Sequence, residues 1–173
     1  MGNSMGQNAW AKSAFDTTTA LPKALPGFGH VRRQWDHTRQ RSLARVMPGE
    51  YYVTSSDEVI ATVLGSCIAV CLRDTQTHVG GMNHFLLPTP PDAGQIHDDA
   101  YYGLHAMELL INAVMKHGGD RRRFEVKVFG AGDVLSAITH SVGARNIQFI
   151  RGFMDREGLR LSAEDLGGHY ARS

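Results

Sequence analysis

Only two cysteines, Cys67 and Cys71, occur in 173 residues, which excludes a disulfide scaffold and a four-thiolate zinc site. They stand four positions apart in an apolar, β-branched stretch. On a strand they would share a face about 13 Å apart, beyond disulfide reach. Charge of one sign is also lacking: 18 basic against 17 acidic residues leave +1, no overall field for gripping nucleic acid or an anionic membrane. Long apolar runs are missing too. The best, residues 59–70, is broken by Thr62, Gly65 and Ser66 and is too short to span a bilayer. With no signal-peptide pattern the expected compartment is the cytoplasm, where both cysteines stay thiols. Internal repeats and low-complexity tracts are absent. What is present is a 42% hydrophobic content with 20% charged residues, enough for the core of one domain and too apolar for global disorder.

Residues 1–46 read differently from the rest. Residues 1–19 are small and polar without period, and Pro22 and Pro26 with two glycines follow, so a flexible N-terminal extension is expected. Its end, residues 31–45, carries five arginines and one aspartate around Trp35. Such a basic arm could touch nucleic acid, but the only other basic cluster is Arg121-Arg122-Arg123. It is read instead as a solvated arm with Trp35 folded back on the domain. From 47 to 173 the pattern is dense. Strands are predicted over 51–54, 58–64, 67–72, 78–87 (stopped by Pro88, Pro90 and Pro91), 124–129 and 159–161. Helical periods run over 100–117 and 144–156, ended by Gly118-Gly119 and Gly158. Strands first and helix–strand units later argue for a mixed α/β or α+β fold rather than a doubly wound parallel sheet.

The segment Thr62-Val63-Leu64-Gly65-Ser66-Cys67 is the most informative locally. A thiol nucleophile needs partial exposure, a nearby base, and main-chain amides to hold a developing oxyanion. Gly65 and Ser66 supply the tight turn and its donors, and Cys67 follows directly. The competing reading is a small buried hydrophobe. A base is available in Gly80-Gly81-Met82-Asn83-His84-Phe85. Residues 73–77 read as a turn between two strands, so antiparallel pairing sets Cys67 and His84 close to opposite, on one face or two depending on register. Such a pair could form a thiolate–imidazolium and attack an acyl carbon. The other histidines make no metal set. His97-Asp98-Asp99 reads as a polar loop capping the next helix. Gly130-Ala131-Gly132 matches no phosphate fingerprint and reads as a plain turn.

Taken together, Thr62-Val63-Leu64-Gly65-Ser66-Cys67-Ile68-Ala69-Val70-Cys71-Leu72-Arg73-Asp74 and Gly80-Gly81-Met82-Asn83-His84-Phe85-Leu86-Leu87-Pro88 closely resemble the CheD family of chemoreceptor glutamine deamidases. The likeness continues through Tyr102-Gly103, Lys127-Val128-Phe129-Gly130, Gly143-Ala144-Arg145-Asn146 and Glu164-Asp165-Leu166-Gly167-Gly168. Two departures are Gly130-Ala131-Gly132 in place of a double glycine, and an end at Ser173 where the family leads one to expect further strand. The resemblance implies a layered α/β sandwich with a mixed β-sheet, related to the deamidase domain of cytotoxic necrotizing factor toxins. It implies a protein-glutamine glutaminase acting on methyl-accepting chemotaxis receptors, with Cys67 as nucleophile, His84 as its histidine and Thr62 completing the triad. A CheC-like phosphatase is an implied partner, and neither metal nor organic cofactor is required.

The rival reading is a non-catalytic adaptor that docks on receptors or on such a phosphatase. Receptor cytoplasmic domains are helical coiled coils, so the substrate glutamine should arrive on a helix surface at an open, shallow site. Gly81 and Asn83, with Gly167 and Gly168, are expected to line its rim.

Overall fold

Ile68, Val70 and Leu72 alternate with Ala69, Cys71 and Arg73 along one strand, and that period of two sorts the whole molecule into layers. The structure is a computed structural model describing residues 20–87, 96–133 and 140–173. The expectations for residues 1–19 and for the proline stop at 88–91 lie outside the described residues. In chain order the elements are β1 (Arg32–Asp36), β2 (Arg41–Arg45), β3 (Tyr51–Thr54), β4 (Glu58–Ala61), β5 (Ile68–Asp74), β6 (Gly80–Phe85) and α1 (Ile96–Lys116). After them come β7 (Phe124–Gly130), α2 (His140–Glu157) and β8 (Leu161–Leu166).

A five-stranded sheet in the order β3-β6-β5-β7-β8 is antiparallel except for the parallel β7–β8 pair, between which α2 makes the crossover. One face carries Val53, Ile68, Val70, Leu72, Phe85, Val126 and Val128, all buried. Met107, Leu110 and Val114 of α1 and Ile150, Phe153 and Met154 of α2 pack into the same core at helical spacing. Each such side chain contributes about 1.5–3 kcal/mol. Helix α1 stops where Gly118 takes a φ of 103° and the Gly119 N–H turns back to the Val114 carbonyl, a cap that needs glycine.

The second sheet, β1-β2-β4, lies against the opposite face. Its anchor is the fully buried Glu58 carboxylate. That group accepts from Tyr52 Oη and Thr54 Oγ1 of β3 and Ser42 Oγ of β2, each at 2.7 Å, and from Arg33 of β1 at 2.7–2.9 Å. Burial alone would raise the Glu58 pKa, but the four partners outweigh it and hold the carboxyl below its usual range. The helices, the five-stranded sheet and the small sheet thus form a mixed, layered α+β fold, as the order of strand and helix signals indicates.

The basic arm is not irregular through residue 46. Residues 32–45 form the β1–β2 hairpin, closed by Asp36 accepting from the Thr38 and Arg39 amides, and β2 pairs in parallel with β4. The small sheet therefore joins chain from both sides of the boundary expected at 46/47. Three of the five arginines are ion-paired, Arg33 with Glu58 out of solvent and Arg39 and Arg41 with Asp36 and Asp57 at the exposed surface. Several bounds also move. The strand predicted over 58–64 ends at Ala61, the one over 159–161 becomes β8 (Leu161–Leu166), and α1 begins early enough to place His97-Asp98-Asp99 in its first turn, not a loop.

Candidate active site

Residues Thr62 and His84 meet beneath the small sheet. Thr62 follows the end of β4, and its Oγ1 lies 2.7 Å from Val46 O and 2.7 Å from His84 Nδ1. A carbonyl only accepts, so the hydroxyl spends its single proton on Val46 and must accept from Nδ1–H. The network thereby assigns the neutral tautomer of His84: the proton sits on Nδ1 and the lone pair on Nε2. His84 is 2% exposed, and Nε2 is buried without a partner among the described residues. Its backbone is equally fixed, donating to Glu50 O and accepting from Gly49 N. Burial pushes the His84 pKa down, with partial opposition from the Val46 carbonyl.

Cys67 immediately precedes β5. In the β5–β6 register Ala69 pairs with His84, so Cys67 stands one pleat further on, diagonal to the histidine rather than opposite it. The two-residue period assigns it the same face as Ala69 and His84. The turn before it is gripped at three successive carbonyls. Gly65 O accepts from Gly132 N at 2.7 Å, Ser66 O from Asn146 Nδ2 at 2.7 Å, and Cys67 O from Ala131 N at 2.7 Å. The side chain is half-buried, and burial pushes its thiol pKa up, partly offset by its own backbone N–H. Desolvation acts against each of the two charges that the thiolate–imidazolium read from the sequence would carry.

The segment 130–132 is more than a plain turn. Gly130 has a φ of 118°, and a Cβ there would sit 2.1 Å from Cys67 O, so only glycine lets this strand end lie against the cysteine. Gly167 and Gly168 follow β8 at φ 76° and 74° and lie beside that segment, with Gly167 N donating to Gly130 O and Gly168 O accepting from Asp133 N. Leu64 and Arg172 exchange backbone hydrogen bonds, and Asp165 and Gly167 O hold the Arg172 guanidinium, which closes this side of the site.

Two rim assignments are overturned. Asn83 is 1% exposed, with Oδ1 on Val70 N and Nδ2 on Ala106 O of α1, and a Cβ on Gly81 would meet Tyr52 O and Leu110. Both belong to the helix-covered face, because odd positions of β6 point away from His84. His78 sits in the hairpin turn at the far end of β6 with a φ of 60°. Unforeseen participants are Val46 O, the 130–132 amides and Asn146. Cys71, on the Cys67 side of β5, is more deeply desolvated, its pKa pushed up to about 11 by burial.

Comparison with known proteins supplies the family. The family model described as CheD chemotactic sensory transduction matches residues 86–173. "Probable chemoreceptor glutamine deamidase CheD" of Halorhodospira halophila is 48% identical over 158 residues, covering 88% of this chain and 73% of the relative. The proteins of the same name from Hahella chejuensis (48% over 154 residues, 87% and 72%) and Herminiimonas arsenicoxydans (49% over 144 residues, 80% and 70%) match similarly. A match over 88% of the chain necessarily takes in residues 62–84, which the family model does not reach. By these similarities the chain belongs to the CheD family.

Proposed function

We propose that this protein hydrolyses the side-chain amide of glutamines in chemotaxis receptors, with Cys67 as nucleophile, His84 as base and acid, and Thr62 as the group that orients His84. The observation that carries the reading is the assigned tautomer of His84. Its Nε2 lone pair is buried without a partner on the face that strand register also gives Cys67. A histidine so held is set to take a proton and to return it. The names of the relatives supply the substrate class.

The chemistry runs in two halves. His84 Nε2 takes the Cys67 thiol proton as Sγ attacks the glutamine carboxamide carbon. The oxyanion that results is met by main-chain N–H groups of the Gly65-Ser66-Cys67 turn. Collapse breaks the C–N bond, and the imidazolium passes its proton to the departing ammonia, leaving a thioester. Water, deprotonated by His84, then attacks the thioester, and release of glutamate restores the thiol. The sum is glutamine plus water giving glutamate plus ammonia.

The surroundings suit a protein substrate. Met47, Val63, Leu86 and Tyr170 are large apolar side chains left exposed, and each belongs to a segment that borders the site. Met47 follows Val46, Val63 follows Thr62, Leu86 continues the β6 register opposite Cys67, and the Tyr170 carbonyl lies where a Cβ on Gly132 would point. Exposed apolar side chains on segments that flank a site suit contact with a protein surface. On this reading, with the substrate on the receptors' cytoplasmic helices, the enzyme works in the cytoplasm. The test is mass spectrometry of a folded receptor cytoplasmic fragment incubated with the protein. Amide-to-acid conversion at particular glutamines, matched by equal release of ammonia, is expected, whereas unchanged glutamines in fragments from several receptors would refute the reading.

A further inference from the structure

Asn146 is fully buried in α2, 80 residues from the cysteine turn in sequence, yet both ends of its side-chain amide are spent on the active-site segments. Nδ2 donates to Ser66 O at 2.7 Å, and Oδ1 accepts from Leu87 N at 3.1 Å. The first bond falls on the residue before Cys67. The second falls just beyond β6, three residues after His84. One planar side chain therefore spans the segments that carry the two reacting groups.

The Ser66 carbonyl and the Cys67 N–H belong to one planar trans peptide, in which the two bonds point in opposite directions. Gripping the oxygen aims the N–H away from α2. That N–H is the group that partly offsets the effect of burial on the Cys67 sulfur. The Gly65–Ser66 peptide is held in the same manner by Gly132 N on Gly65 O. The Cys67 N–H already lies beside its own sulfur, next to where the attacked carbonyl would sit. A buried Asn with both functions satisfied is also hard to replace: an Asp keeps the acceptor but turns the donor into a repelling oxygen.

We propose that Asn146 is a positioning residue for catalysis, fixing the Cys67 amide as an oxyanion donor through Ser66 O and setting the Cys67–His84 spacing through Leu87 N. The inference rests on the cysteine-amidohydrolase reading above.

The test uses the full chain and a receptor cytoplasmic fragment, comparing Asn146→Asp, Asn146→Ala and Cys67→Ala with the unaltered protein. For Asn146→Asp, kcat should fall roughly ten- to hundredfold while KM stays within about twofold, since a displaced oxyanion donor acts in the transition state only. The pH midpoint for alkylation of Cys67 by iodoacetamide should move upward, because the thiolate loses its aligned amide. Asn146→Ala reads the same quantities should the Asp variant not fold, and thermal melts establish which variants are folded. If Cys67→Ala still turns over, the underlying reading fails. If Cys67→Ala is inactive but a folded Asn146 variant keeps both its kcat and its alkylation profile, the positioning role alone is overturned.

Discussion

Thr62 Oγ1 stands 2.7 Å from His84 Nδ1 while giving its proton to Val46 O, and this pair of bonds decides where the histidine keeps its lone pair. The hydroxyl is a relay of geometry rather than of protons: it transmits the position of the Val46 carbonyl to the ring. Thr62→Ala should therefore lower kcat roughly ten- to hundredfold without unfolding the protein, and Thr62→Ser, which keeps the hydroxyl, should recover most of the loss. Steady-state kinetics on a receptor fragment measures both. Equal loss in the Ser and Ala variants would show that the methyl group, not the hydroxyl, matters.

The pH dependence follows from the two desolvated groups. Burial lowers the His84 pKa, so the base stays neutral into mild acid, and the acid limb of kcat/KM should have its midpoint below the ordinary histidine value of 6.5. Burial raises the Cys67 thiol, so its alkylation should increase through a midpoint above the ordinary thiol value of 9.0. A preformed ion pair would instead give alkylation that persists with little change well below neutral pH. A pH series of iodoacetamide rates separates the two cases.

Much of this site is legible in the sequence, and the reasons for the rest are physical. Cys67 and His84 are visible because the glycine turn and the two flanking strands fix them within one pleat of each other. Gly81 and Asn83 look equally well placed in the sequence, but a single-residue offset puts them on the helix-covered face, and only register reveals this. Val46 O has no side-chain signature at all, and Asn146 reaches Ser66 across most of the chain. The β1–β2 hairpin is hidden for another reason. Its half-buried inner face contains Arg33, neutralised by Glu58, and its turn uses Gln40 at a φ of 53° where a glycine would have announced it.

Glu58 should be the stability centre of the small sheet. Glu58→Ala leaves the Arg33 guanidinium, with a side chain only 10% exposed, without its counter-charge, and removes the acceptor for Ser42, Tyr52 and Thr54. A loss of about 3–5 kcal/mol is expected in urea unfolding. The folded pKa lies below the ordinary 4.5, so this contribution is fully present above that value and declines as pH falls through the folded one. A variant within about 0.5 kcal/mol of the parent would remove Glu58 from this role.

Gly130→Ala tests the packing of β7 against the cysteine. The added Cβ meets backbone at Cys67 O, which no rotamer change relieves, and the left-handed φ adds strain of its own. Activity should fall at least about tenfold with a loss of roughly 1–3 kcal/mol in stability. Unchanged kinetics in a folded variant would mean that the turn tolerates displacement.

The central claim, that Cys67 is the nucleophile served by His84, is tested most directly by following glutamine conversion in a folded receptor fragment by mass spectrometry with Cys67→Ala and Cys71→Ala side by side. Cys71 lies two pleats along the same strand and gives up only packing, about 1 kcal/mol, when truncated. The Cys71 variant should therefore convert the same glutamines at nearly the parent rate, while the Cys67 variant, with an unchanged melting curve, should convert none. Conversion by Cys67→Ala at the parent rate would contradict the account.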